Sequence, residues 1–241
     1  MTDAPENLLK GSVELNKMFA AVAKTGAGLR RDFIEVENLQ QSITGARDFV
    51  RRAAVRIEES ILRDLVFVRP NAGVLTPNYS ADGDGRDEFV LALSGAENFV
   101  RGNSHFAISL ALRSGGETKI AIIYNPIEDK LFYGEQDNGA FIFSAFHSAR
   151  VGVSRIADSA SALIGLDNTV NATRRGESYR VSGCVALDLA FVASGKFDGF
   201  VGAATDYAQV CAGELLINLA GGTFEMDADL IATNGKWSVG E

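Results

Sequence analysis

The stretch "IYNPIEDKLFYGEQDNGAF", residues 123–141, decides the fold of this chain. It contains short runs rich in β-branched and aromatic residues, and turn-forming Asn, Pro, Asp and Gly residues separate them. Similar runs precede it, "EFVLAL" at 88–93 and "HFAISLALR" at 105–113. Such closely spaced runs predict a sheet built largely from strands that are neighbours in the sequence.

Two helical patterns precede the strands. Between Glu6 and Asp32 the apolar residues recur mostly at steps of three and four, which is the helical period. The stretch "ARDFVRRAAVRIEESILRDL", residues 46–65, repeats this spacing with Arg and Glu between the apolar positions. We therefore predict two amphipathic helices ahead of the sheet.

The second half of the chain alternates between strand and helix patterns. In chain order they are a strand at 161–166, a helix at 182–195, a strand at 197–202 and a helix at 207–222. This alternation is typical of a layered α/β unit. We predict an N-terminal α+β domain over residues 1–148 and a C-terminal α/β domain over residues 149–241.

Composition excludes several classes of function. The net charge of −8 repels phosphate backbones and anionic membranes, so direct binding to nucleic acid is disfavoured. No apolar stretch approaches the roughly 20 residues that span a bilayer, and the first residues lack a signal-peptide pattern. We expect a cytoplasmic protein without membrane attachment. Cys184 and Cys211 lack metal-binding spacing and are expected to be small buried apolar residues.

Three motifs identify a resemblance to a known family. They are "GVLTPNY" at 73–79, "LALSGAENF" at 91–99 and "AQVCAG" at 208–213. In order along the chain they resemble G-E-E, D-P-[IL]-D-G-T-T-N-F and W-D-x-A-[AG]-G of the inositol monophosphatase family, especially its bacterial members. The resemblance implies a mixed α/β (α+β) fold, a layered αβαβα sandwich. It also implies the family's activity, magnesium-dependent hydrolysis of inositol monophosphate.

The resemblance also indicates which site residues have changed. The acidic ligands of the family fall on residues without a carboxylate, and the motif threonine falls on Ala96. The positions that match the acidic ligands are Ala54, Pro77, Asn78, Leu91, Ser94 and Gln209. Because Mg²⁺ is held mainly by carboxylates and substrate phosphate, we expect no catalytic residue, no metal ligand and no cofactor in this chain. This predicts a catalytically inactive pseudophosphatase that acts through binding.

The alternative is an active magnesium-dependent phosphatase acting on inositol monophosphate or a related small phosphate ester. It requires carboxylates from other positions, and the candidates are Glu97, Glu88 and Asp206. An acidic run at 80–88, "SADGDGRDE", lacks the ligand order of a calcium-binding loop and is expected to be a solvated turn.

Other candidate residues carry weaker signals. Backbone N–H groups of Gly95 and Ala96 are candidates for a weak phosphate site, although Gly95 is also explained by the turn alone. His105 and His147 have no partner at a catalytic spacing and are expected to be structural or exposed. For partners, the resemblance implies a homodimer and, because some bacterial members are linked to the transcription machinery, a possible protein partner.

Overall fold

The computed structural model describes residues 9–40, 42–144, 147–170 and 178–237. The predicted helix start at Glu6 lies outside these ranges.

Two long helices form the first layer. Helix α1 (Val13–Asn38) begins at Ser12, whose hydroxyl accepts the N–H of Leu15. Helix α2 (Ile43–Leu65) begins in the same way at Ser42, whose hydroxyl accepts the N–H of Gly45. Both predicted helices are confirmed, and α1 starts later than predicted because the cap residue fixes its first turn.

An eight-stranded sheet packs on these helices. Its order is β2-β1-β3-β4-β5-β6-β7-β8, antiparallel except for the parallel pair β1 and β3. The strands are β1 (Gly73–Thr76), β2 (Tyr79–Ala81), β3 (Asp87–Ser94), β4 (Ala107–Ser114), β5 (Glu117–Asn125), β6 (Lys130–Glu135), β7 (Gly139–Ser144) and β8 (His147–Arg150). A short helix, α3 (Ala96–Val100), follows β3. The predicted pairing of sequence neighbours is confirmed from β3 to β8.

The remaining chain adds two helices and a second sheet. Helices α4 (Val185–Ala193) and α5 (Tyr207–Ala220) match the predicted segments. The five-stranded sheet has the order β10-β9-β11-β13-β12. Its strands are β9 (Leu163–Leu166), β10 (Ser178–Arg180), β11 (Gly199–Ala203), β12 (Thr223–Met226) and β13 (Asp229–Thr233).

Apolar residues on both faces of the first sheet join the layers. In β3, Phe89, Leu91 and Leu93 belong to the core shared with α1 and α2, whereas Val90 and Ala92 belong to the core shared with α4 and α5. Burial on both faces explains why β3 reads as an almost continuous apolar run. The described residues thus form the layers α, β, α and β, which confirms the predicted mixed α/β fold, but they supply no helices for the fifth layer of the predicted αβαβα sandwich. Besides α1 to α5, the described residues contain one further helix, a single 3₁₀ turn at Ser159–Ser161.

The second core continues into the second sheet. Phe200 of β11 and Leu230 and Ala232 of β13 join the cluster around α4 and α5. The division proposed between residues 148 and 149 falls inside β8, and it stays a prediction. Within the described ranges, no helix combines the length and the apolar character needed to cross a bilayer.

Candidate functional site

A turn at the end of β3 positions the site. Gly95 links β3 to α3 with φ 81° and ψ 31°, which is left-handed backbone. A Cβ atom at Gly95 would lie 2.9 Å from the carbonyl oxygen of His105 and 3.0 Å from the Cβ of Cys184. Both the torsion angles and the close approach require glycine here.

Two polar side chains beside this turn join it to the first turn of α4 and to the residues before that helix. The Ser94 hydroxyl accepts the N–H of Ala186 at 3.3 Å. The Asn98 amide donates to the carbonyl oxygens of His105 at 2.7 Å and Ser182 at 2.8 Å. These bonds hold the end of β3, the start of β4 and the start of α4 together around the site.

Two adjoining cavities lie beside the turn and form what we call the cleft. The larger cavity has a volume of about 490 Å³ and the smaller about 360 Å³. They share five lining residues, Pro77, Leu93, Ala96, Glu97 and Gln209. Volumes of this size are typical of small-molecule sites.

The cleft brings together most of the positions that the resemblance singled out. Pro77, Ala96 and Gln209 line both cavities. Ser94 and Gly95 line only the larger cavity, and Ala54 and Asn78 line only the smaller one. Leu91 is the exception, because its side chain is buried in the core against α1 and α2. The assignment of these positions to a metal site, and of Gly95 and Ala96 to phosphate binding, stays a prediction.

Two of the three alternative carboxylates also reach the cleft. Glu97 lines both cavities and forms an ion pair with Arg47, with Nε 3.0 Å from Oε1. Asp206 lines the larger cavity, and its side chain accepts the N–H of Ala208 as the cap of α5. Glu88 lies elsewhere, paired with Arg113 at 3.0 Å, in a separate cavity of about 300 Å³.

Two further aspartates of the larger cavity, Asp167 and Asp188, were not predicted from the sequence. Asp167 directly follows β9, and Asp206 comes three residues after β11, which runs parallel to β9. Because the carboxyl ends of parallel neighbours meet at one sheet edge, both residues reach the same cavity. Asp188 lies in α4, where a single charge in the apolar segment "VALDLAFVA" is the signal that could have marked it.

Asp188 is deeply buried. Its Oδ2 accepts the hydroxyl of Ser182 at 2.6 Å. Its Oδ1 lies 3.8 Å from Nε2 of His105, too far for a hydrogen bond. Burial raises the pKa of Asp188, and its contacts with His105 and Ser182 only partly oppose this shift.

A third missed carboxylate, Glu58 of α2, lines the smaller cavity. Its Oε2 accepts the hydroxyl of Thr76 and its Oε1 accepts the Asn78 amide, both at 3.3 Å. Burial is the main cause that raises the pKa of Glu58 above 4.5, and the two hydrogen bonds oppose it.

Neither cysteine is suited to nucleophilic chemistry. Both are free and buried, as expected from the sequence. Burial raises the pKa of the Cys184 thiol to about 12, and it also raises the pKa of Cys211. Because the thiolate is the reactive form, both thiols are inert near neutral pH.

The motifs and the fold agree with a match to a known family model. The model described as "Inositol monophosphatase family" matches residues 5–229. The chain belongs to the inositol monophosphatase family. The resemblance seen in the motifs is thereby confirmed.

Relatives within the inositol monophosphatase family carry two different names. The chain is 36% identical over 226 residues to a Rhizobium meliloti protein named "Inositol-1-monophosphatase", covering 88% of this chain and 84% of that protein. It is 28% identical over 225 residues to a Pasteurella multocida protein named "Nus factor SuhB", covering 86% and 83% of the two chains.

Solved structures of the inositol monophosphatase family share the fold. An extragenic suppressor protein suhB from Bartonella henselae aligns with a TM-score of 0.80 and 29% identity, over 94% of this chain and 95% of that one. Inositol monophosphatase from Anabaena aligns with a TM-score of 0.74 over 92% and 90% of the two chains, and at 22% identity it supports the fold alone.

Family membership corrects one expectation. The expectation that the chain uses no cofactor is wrong, because the chain belongs to a magnesium-dependent family over residues 5–229. Magnesium is the cofactor that membership implies.

The side chains present fit that ion poorly. In the part of the chain that the structure describes, no group of three or more His, Cys, Asp or Glu side chains could hold a metal ion. The side chain of Pro77, at the tip between β1 and β2, has no ligand atom. Gln209 and Ser94 offer only neutral oxygens, and that of Ser94 already accepts a backbone N–H. We therefore derive no catalytic step through magnesium.

Proposed function

We propose that this member of the inositol monophosphatase family uses its cleft for binding and does not hydrolyse phosphate monoesters. The observation that carries the proposal is the chemistry of the cleft lining. Ala54, Pro77, Ser94 and Gln209 line the cleft with methyl, ring, hydroxyl and amide groups, at positions to which the motif resemblance assigns the family's carboxylates.

A physical argument connects this lining to the loss of hydrolysis. Two or three magnesium ions in one pocket carry four to six positive charges, and clustered carboxylates are needed to hold them. Such ions would activate water, orient the phosphate and stabilise the leaving alkoxide. Without the carboxylates, all of these contributions are weakened together.

The test is a phosphate-release assay with inositol 1-phosphate and millimolar magnesium. We expect no release above the buffer rate, while the Rhizobium meliloti relative, assayed in parallel, serves as the positive control. Magnesium-dependent turnover by the purified chain, abolished by a chelator, would overturn the proposal.

A second candidate function is a magnesium-dependent phosphatase acting on inositol monophosphate or a related small phosphate ester. The names of the relatives support it better than the first, since three relatives at 34–36% identity are named "Inositol-1-monophosphatase". Phosphate release that is lost in Glu97→Gln or Asp206→Asn, but kept in Glu88→Gln, would establish this phosphatase function. It would also identify carboxylates of the cleft as the metal ligands.

The same proposal covers partners and location. We infer a cytoplasmic homodimer that has a protein partner. The name "Nus factor SuhB" among the relatives supports the protein partner. The net charge of −8 argues against direct contact with nucleic acid. Sedimentation of the purified chain tests the dimer, and a monomer at micromolar concentration would contradict it.

A further inference from the structure

His105 and Asp188 face each other beside the larger cavity. Nε2 of His105 lies 3.8 Å from Oδ1 of Asp188. Both atoms are buried, and neither has a hydrogen-bond partner among the described residues. A buried polar atom without a partner costs free energy. A shift of about 1 Å would bring these two atoms into hydrogen-bond distance of each other.

The pair joins the start of β4 to the start of α4. His105 comes just before β4, and its carbonyl oxygen accepts the Asn98 amide. Asp188 lies in the first turn of α4 and accepts the Ser182 hydroxyl, which in turn accepts the N–H of Cys184. A change in distance between His105 and Asp188 is therefore transmitted to the residues around the start of α4.

The start of α4 is part of the wall of the larger cavity. Gly183, Cys184 and Val185 line that cavity, as Asp188 does. A movement of Asp188 toward His105 therefore carries this wall with it.

His105 is the member of the pair that meets solvent. Its side chain is 21% exposed, whereas that of Asp188 is 2% exposed. Histidine is the side chain that ordinarily changes charge between about pH 5 and about pH 8. His105 can therefore exchange a proton with solvent while its Nε2 stays buried against Asp188.

The charges around His105 favour a proton on its ring. Asp188 faces Nε2 directly, and its carboxylate is buried and little screened. Lys196 opposes the proton, since its Nζ lies 4.8 Å from the centroid of Phe191, the ring that His105 contacts edge-on. Lys196 is exposed, so solvent screens its charge.

The other titratable groups nearby belong to the cavity wall and to the surroundings of Lys196. Burial raises the pKa of the Cys184 thiol to about 12, so that group stays neutral. The cavity adds the carboxylates Glu97, Asp167 and Asp206, and Lys196 has Lys130 and Glu128 beside it.

We propose that His105 and Asp188 form a pH-sensitive contact that sets the position of the start of α4 in the cavity wall. When His105 takes up a proton, its Nε2–H donates to Oδ1 of Asp188, and the contact shortens because charge-assisted hydrogen bonds are shorter than neutral ones. When the proton leaves, the contact relaxes. The inference rests on the proposed function for its role, since this wall belongs to the binding cleft.

The test is an NMR titration of the full chain from about pH 8 to about pH 5. It follows the ring signal of His105 and the backbone amides of residues 183–188. The variants are His105→Gln and Asp188→Asn, whose amide groups keep hydrogen-bonding capacity but do not titrate. The matched control is His147→Gln, because His147 is the other histidine of the chain and lies exposed in β8.

We expect the amides of residues 183–188 to follow the His105 ring signal in the parent chain and in His147→Gln. This response should be lost in His105→Gln and in Asp188→Asn. His105→Gln changes the more exposed member of the pair, so it tests the inference even if Asp188→Asn fails to fold. Amides that do not respond in the parent chain, or that still respond in His105→Gln, would overturn the inference.

The titration uses no substrate, which separates it from the phosphate-release assay. Unresponsive amides together with no phosphate release overturn only the pH-sensitive contact. Responsive amides together with magnesium-dependent phosphate release overturn only the proposed function.

Discussion

Glu58 is a residue whose charge the fold tolerates at a cost. It lies in α2 and faces the end of β1 and the turn after it, where the neutral groups of Thr76 and Asn78 are its only hydrogen-bond partners among the described residues. Because burial raises its pKa above 4.5, the folded chain holds this proton more tightly than the unfolded chain.

This residue gives a prediction for the pH dependence of stability. Between pH 4.5 and the raised pKa, the folded state binds more protons than the unfolded state, so the contribution of Glu58 to stability falls as pH rises. Glu58→Gln cannot titrate. We expect its free energy of unfolding, relative to the parent chain, to increase with pH through this window, as measured by urea unfolding.

Glu58→Gln also removes a carboxylate oxygen that accepts a hydrogen bond. This loss changes the free energy of unfolding by the same amount at every pH and is separate from the pH trend. Glu59→Gln, which changes the exposed neighbour, is the matched control. The same pH trend in both variants would contradict the assignment to Glu58.

For single residues, the sequence predicted which residues lie near the site better than it predicted which groups surround them. Pro77, Ser94 and Gln209 were expected near the site, and the structure places them on the cleft. Asp167 was missed because only the parallel pairing of β9 and β11 brings it beside Asp206, and that pairing joins segments far apart in the chain.

Among the elements, α4 and α5 are in close contact at Gly213 of α5. A Cβ at Gly213 of α5 would lie 2.6 Å from the Cβ of Leu189 in α4. Both helices also carry site residues, because Asp188 lies in α4 and Asp206 caps α5. The small residue at this crossing therefore positions one wall of the cleft.

A pair of substitutions tests this crossing. Gly213→Ala should lower the free energy of unfolding by about 2 kcal/mol, because the added methyl group overpacks the contact with Leu189. Gly28→Ala in α1 meets nothing within 4 Å and should instead raise it by about 1 kcal/mol through helix propensity. Urea unfolding midpoints measure both. Equal effects of the two substitutions would refute close packing at Gly213.

Long elements were predictable, and among the elements of five residues or fewer only β9 and β11, which lie in apolar runs, were predicted. The four long helices and the central strands have clear periodicity over eight or more residues or continuous apolar runs. No strand was predicted at β1, β2, β8, β10, β12 or β13, and no separate helix at α3. These elements have three to five residues each, too few for a periodic signal, and tertiary pairing defines them.

On the scale of the whole molecule, the first sheet has no solvent-facing side over its central strands. Ile122 and Tyr133 belong to the core beneath α1 and α2, whereas Ile123 and Phe132 belong to the core beneath α4 and α5. Residues 1–148 therefore depend on the later helices to cover one face of their sheet.

This dependence gives a prediction for a truncated chain. A fragment of residues 1–148 should bind a hydrophobic dye and lack a cooperative thermal transition, because the face beneath α4 and α5 would be exposed. The full chain should show one transition and little dye binding. A fragment that melts cooperatively without binding the dye would instead support an independently folded N-terminal domain.

The left-handed turn at Gly95 has a consequence for how such chains are classified. The residues of the central motif that persist here are Leu93, Gly95, Asn98 and Phe99. Gly95 permits the close backbone approach, Asn98 bonds to His105 and Ser182, and Leu93 and Phe99 pack in the core. Selection for folding alone is enough to retain them. A sequence score that rewards these retained residues therefore measures similarity of fold. The motif positions between them carry the information about catalysis.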